Sequence, residues 1–80
     1  MERFELMQLF QRTASEIAEK EIRNVAENTR IGELGIDSLG MLEVIGSLER
    51  ELKIQIPDES LAGILTVKDL LNAVLSRQTI

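Results

Sequence analysis

The sequence predicts an all-α fold: a small bundle of three main helices plus one short helix, with a long loop between helices one and two. Three observations predict it. Apolar residues recur every three to four positions in three separate stretches, the period of a helix with one buried face. Strand alternation is absent apart from the short run Ile54-Gln55-Ile56. Turn formers fall mostly between the periodic stretches. A chain of 80 residues, 44% of them apolar, supports one modest core, and residues 1–80 read as a single domain.

Helix one spans about Glu2 to Lys20, with Leu6, Phe10, Ala14 and Ile17 on one side and Met7 and Ala18 beside them. The period is lost over residues 21–36. Asn24, Asn28, Thr29, Gly32 and Gly35 mark a loop there, pinned by Ile22, Val25, Ile31, Leu34 and Ile36. Helix two runs from about Ser38 to Leu52. At about 100° per residue, Met41, Ile45, Leu48 and Leu52 share its core face, with Val44 next to them. Leu39, Glu43, Gly46 and Arg50 take the opposite side, and Leu42 and Glu49 the shoulder between. Gly40 and Gly46 each cost about 1 kcal/mol relative to Ala inside a helix. They point either to close packing or fraying within the domain, or to close approach of a partner or bound group. Pro57 closes the Ile54–Ile56 stretch, and Asp58 to Gly63 reads as a short helical turn. Thr66 caps a last helix that continues to about Arg77, with Val67, Leu70, Leu71, Val74 and Leu75 facing inward. Phe4 and Phe10 are the only aromatics, so the core is built from Leu, Ile, Val, Met and Ala.

Composition excludes several functions. With no cysteine there is no disulfide, thiolate metal site or thiol nucleophile. With no histidine the commonest general base and the Ser-His type of site are missing. The acids do not follow the calcium-loop spacing, and no resident metal is expected. These absences argue against an intrinsic enzyme. No signal-peptide pattern is visible, and no apolar run approaches the roughly 20 residues of a membrane span. A cytoplasmic location, a free-standing chain and a monomer are expected.

The net charge of −5 lies almost entirely in the middle of the chain. Residues 31–59 hold seven acids, Glu33, Asp37, Glu43, Glu49, Glu51, Asp58 and Glu59, against Arg50 and Lys53. Such a surface repels phosphate backbones, so nucleic acid is not an expected partner. It steers basic protein surfaces toward itself.

The stretch Leu34-Gly35-Ile36-Asp37-Ser38-Leu39 sits where the loop becomes helix two. Asp is among the best helix caps, and Ser is common in first turns, so capping alone is one reading of Asp37-Ser38. The other is attachment. A serine hydroxyl at a helix N-terminus lies where free N–H groups and the helix dipole stabilise a phosphate.

The run LGIDSLGMLEVIGSLERELKIQIPDESLAGILTVKDLL resembles the acyl carrier protein family. The likeness covers about residues 31–75 and rests on several features in register. These are Leu-Gly-x-Asp-Ser-Leu, an amphipathic helix, Ile-Pro-Asp-Glu and Thr-Val-x-Asp-Leu-Leu. The resemblance implies a non-catalytic carrier. A phosphopantetheinyl transferase would place a 4'-phosphopantetheine arm from coenzyme A on Ser38, beside Asp37, and acyl groups would ride on the arm as thioesters. It further implies partner contacts at Leu39, Leu42 and Gly46. Acids at Glu43, Glu49 and Glu59 would meet basic patches on acyl-loading and acyl-processing enzymes. The sequence departs from the pattern of bulk fatty-acid carriers at Ile36, where Ala is usual, and at Gly40, where an acid is usual. Arg50 stands in a row that is typically acidic. Leu61 and Leu70 stand where alanine is often found near the acyl-holding cavity, and if both point inward they fill space that a long chain needs, so weak sheltering of the chain is expected. These departures imply a specialised lipid, polyketide or aminoacyl pathway. The alternative is an unmodified helical adaptor that binds partners through its acidic face.

Overall fold

A computed structural model describes residues 2–78. Helix α1 is Arg3–Ala18, α2 Ser38–Leu52, α3 Asp58–Leu61 and α4 Val67–Gln78, with a 3-10 turn at Ile31–Leu34. The chain is an all-α bundle, as the apolar periods predict. Among the described residues the only β pairing is an isolated antiparallel bridge between Arg30 and Thr66, so Ile54–Ile56 is not part of a sheet.

The two long helices α1 and α2 run antiparallel. Ile17 packs beside Gly40 at one end, and Arg12 pairs with Glu51 at 3.1 Å toward the other. Between them and α4 lies a core whose fully buried side chains are Leu6, Phe10, Val44, Leu48, Val67, Leu70, Leu71 and Val74. Each such aliphatic or aromatic burial stabilises the fold by about 1.5–3 kcal/mol.

The structure corrects the sequence reading in four places. First, α1 ends at Ala18, two residues early, because Glu19 takes a left-handed conformation at φ 56°. The chain is then folded back by Ser15, whose hydroxyl donates to the Gln11 carbonyl at 2.7 Å and accepts from the Ile22 N–H at 2.8 Å. Second, the inner face of α1 also includes Leu9 and Thr13, while Met7, Ile17 and Ala18 are only half-buried. Third, the core face of α2 is centred on Val44, Ile45 and Leu48, with Met41 and Leu52 half-buried. Fourth, the short helical turn is confined to Asp58–Leu61.

Buried Ile22, Ile31 and Ile36 pin the long loop to the core, as the sequence predicts, with Val25 and Leu34 packed against it, and side-chain hydrogen bonds hold it between them. Gln11 accepts from the Val25 N–H at 2.9 Å. Arg3 forms a bidentate pair with Glu27, both contacts at 2.7 Å. Beyond Glu27 the loop lines up with the start of α4. The Val67 N–H donates to Thr29 at 3.0 Å, the Lys68 N–H to Glu27 at 2.7 Å, and the Ile31 N–H to Leu65 at 3.0 Å. Orphan donors of the first turn of α4 are thereby satisfied by the loop.

Thr66 and Asp69 close that turn reciprocally. The Asp69 N–H donates to Thr66 Oγ1 at 3.2 Å, and Asp69 Oδ2 accepts from the N–H groups of Leu65 and Thr66, each at 3.1 Å. Those backbone donors hold the Asp69 carboxyl below the usual carboxylate range. A depressed value means that the folded state binds the proton less readily than the unfolded state. The stabilisation is therefore present at neutral pH and is lost as pH falls through the depressed value. Urea midpoints of the wild type and Asp69→Asn at about pH 7 and about pH 3 check this. The wild type's advantage is expected to shrink in acid. An equal gap at both pH values would contradict a charged cap.

Candidate functional site

The junction between the loop and α2 is built residue by residue. Gly35 turns the chain out of the 3-10 segment at φ +81°, a conformation glycine adopts without strain. Ile36 then dips into the core. Asp37 is extended, its Oδ1 accepting from the Gly40 N–H at 2.7 Å and its carbonyl from the Met41 N–H at 2.8 Å. These two bonds start the 15-residue helix α2.

Ser38 is the first residue of that helix and is exposed. Its own N–H and that of Leu39 have no acceptor among the described residues. An accessible hydroxyl thus stands beside two unclaimed donors at the positive end of a helix. Such surroundings stabilise an anion on or next to the hydroxyl.

Two of the grooves along α2 meet at Leu42. One, of about 260 Å³, runs from Ser38 past Met41, Leu42 and Ile45 to Leu61 and Ala62. The other, of about 450 Å³, lies between α1 and α2 and is lined by Glu16, Ile17, Leu42, Glu43, Gly46 and Arg50 among others. Leu42 belongs to both. It is 52% exposed and forms the crest between them.

Of the residues singled out in the sequence, Leu39 is 66% exposed beside Ser38, as the helical angle predicts. Glu43 is exposed on the same helix, and Glu59 is exposed in the first turn of α3. Gly46 is half-buried. Glu49 is half-buried and differs from its acidic neighbours. Its carboxylate accepts from the Ile56 N–H at 2.7 Å and holds the segment that leaves α2. Leu70 is fully buried, as expected, but Leu61 is half-buried and walls the open groove. Only one of the two leucines therefore fills core space. The contributions of Glu16 and Ile17 from α1, and of Met41 to the groove wall, are not legible from motifs. Each follows only from how α1 and α3 pack against α2.

The chain matches the family described as a phosphopantetheine attachment site over residues 6–74. It is 39% identical over 61 residues to an acyl carrier protein of Clostridium perfringens, covering 76% of this chain and 80% of that protein. It is 41% identical over 46 residues to an acyl carrier protein homolog of Ureaplasma parvum, covering 58% and 60% of the two chains. The crystal structure of an acyl carrier protein from Thermotoga maritima superposes with a TM-score of 0.90 at 35% identity. That match covers 98% of this chain and 92% of the other.

The two glycines of α2 do different jobs, and this is testable. A Cβ on Gly40 would sit 3.1 Å from Ile36 Cγ2 and 3.2 Å from Asp37 Oδ1, crowding the cap itself. A Cβ on Gly46 would meet only Arg50 Nη1, at an ordinary 3.6 Å. Gly46→Ala is expected to recover about 1 kcal/mol of helix propensity and raise Tm by about 4–8 °C. Gly40→Ala is expected to gain none of this or to lower Tm. Thermal unfolding followed by circular dichroism decides, and equal stabilisation by both substitutions would contradict the close contact at Gly40.

Proposed function

The chain belongs to the acyl carrier protein family, and on that premise we propose that it bears a 4'-phosphopantetheine arm on Ser38 and presents arm-bound acyl groups to partner enzymes. Members of the family are non-catalytic carriers with covalently attached phosphopantetheine. Residues 1–80 then act as one carrier domain. When bound, the arm supplies the terminal thiol that a chain without cysteine lacks.

One observation carries the assignment to Ser38. Its hydroxyl is exposed at the start of α2, with the N–H groups of Ser38 and Leu39 unclaimed beside it among the described residues. A phosphodiester rooted there would meet those donors without displacing a protein contact. Asp37 holds the turn in place through the Gly40 N–H. The chain's other serines differ in context. Ser15 is bonded to the Gln11 and Ile22 backbone, Ser47 lies mid-helix, Ser60 lies inside the four-residue α3, and Ser76 lies in the last turns of α4. Leu39, Leu42, Glu43, Gly46 and Glu59 form the face we assign to partner enzymes, among them the phosphopantetheinyl transferase. Glu49 contributes charge from behind its bond to Ile56. The departures at Ile36, Gly40 and Arg50 favour a specialised lipid or polyketide pathway, and the cytoplasm is the proposed location.

The test is direct. The protein is incubated with coenzyme A and a broad-specificity phosphopantetheinyl transferase and weighed by mass spectrometry. One phosphopantetheine is expected on the wild type and none on Ser38→Ala, with both variants folded. A wild type that gains no mass would sink the assignment and leave the adaptor reading standing, and a Ser38→Ala variant that still gains it would sink the assignment to Ser38 by placing the arm on another residue.

A further inference from the structure

The groove between α1 and α2 carries a charge pattern that the net acidity of the chain hides. On its α2 wall Glu43 and Arg50 stand seven residues apart, which is about 10 Å along the helix. On its α1 wall Glu16 adds a second carboxylate. The guanidinium of Arg50 folds back toward Gly46, with Nη1 only 3.6 Å from where a Cβ would be. It makes no ion pair or hydrogen bond among the described residues, although two carboxylates line the same groove. Gly46 lies between the two charges, and no internal packing requires a glycine there. Ile17 supplies apolar wall opposite.

We infer that this groove is the specificity surface for a partner-enzyme helix that brings a basic side chain to Glu43 and Glu16 and an acidic side chain to Arg50, about 10 Å apart. The inference rests on the carrier reading for the class of partner, but the surface stands on its own geometry. Charge complementarity sets the occupant. A uniformly basic helix would place a cation against Arg50, and a uniformly acidic one would place an anion against Glu43 and Glu16. Only the mixed pattern satisfies both ends. A groove between two antiparallel helices accepts a third, and the missing side chain at Gly46 lets its backbone approach closely. Arg50 thereby rejects partners that recognise carriers by negative charge alone.

The test uses three helical peptides of about 18 residues, alike except at two positions seven apart. These positions hold Lys and Glu, Lys and Lys, or Glu and Glu. Each is titrated into the ¹⁵N-labelled full chain at about 0.15 M salt, where long-range attraction is screened but contacts persist. The Lys–Glu peptide is expected to bind at least about threefold tighter than the Lys–Lys peptide, with amide shifts at Ile17, Gly46 and Arg50. Arg50→Gln is expected to abolish this preference and Arg50→Glu to reverse it. Tighter binding by Lys–Lys would show that plain acidity governs the face and would overturn the inference. So would shifts confined to the Met41–Leu61 groove, or no binding by any peptide. Shifts at Gly46 that grow with protein concentration alone would make a second copy of the chain the occupant, and they too would overturn it. None of these outcomes depends on whether Ser38 accepts an arm, so failure here and failure of the carrier reading are separate results.

Discussion

The bond from the Gly40 N–H to Asp37 Oδ1, at 2.7 Å, decides where α2 begins, and the rest of the surface follows from that start. Once Ser38 is the first helical residue, each later side chain is rotated by about 100° from the one before. Leu39 then faces solvent, Gly40 meets Ile36, and Val44, Ile45 and Leu48 enter the core. Leu42 rises as the crest between two grooves, and Glu43, Gly46 and Arg50 line one of them. A start displaced by one residue would turn a different set inward. Gly40 is part of the same device, because a side chain there would press on the carboxylate that makes the cap.

The placement of α2 is legible in the sequence because two independent signals agree at Asp37: a strong capping residue and the onset of a helical period. The same holds at Thr66, where the cap and the Val67, Leu70, Leu71, Val74 period coincide. The end of α1 is not legible. Glu19 and Lys20 continue a good helical composition, and the signal that stops the helix is the Ser15 hydroxyl reaching Ile22, a contact between residues seven apart. The 3-10 turn at Ile31–Leu34 leaves no mark in the apolar pattern, because four residues are too few to show a period. Leu61 is placed by its motif near the acyl-holding region, but its size and motif position say nothing about the angle of α3, which leaves it half-buried in a groove wall. The candidate serine can be read from its motif, whereas the groove that flanks it cannot, since its walls come from separate helices.

A bundle with only two aromatic residues has limited apolar area with which to hold a loop of nearly twenty residues. Polar side chains therefore share that role with the buried Ile22, Ile31 and Ile36. Gln11 and Ser15 project from α1 to fix residues 22–25, Arg3 grips Glu27, and Glu49 holds the Ile56 N–H after α2. The result is a division of labour. The framework around the start of α2 is over-determined. The outer faces of α2 keep groups with no partner among the described residues, such as the Arg50 guanidinium, the Ser38 hydroxyl and the Leu39 side chain. That suits a protein that contributes no catalytic group of its own and acts by being recognised.

The Asp37 carboxylate caps the first turn of α2 and, with the Asp37 carbonyl bond to the Met41 N–H, fixes the root at Ser38. Amide hydrogen exchange measures this at a single site, because the Gly40 N–H has the Asp37 side chain as its acceptor. In the wild type the Gly40 amide is expected to be protected well above an unstructured amide. In Asp37→Ala that protection should vanish while the amides of Leu48 and Leu52 keep theirs. A Gly40 amide that exchanges freely in the wild type, or one equally protected in both proteins, would contradict the account.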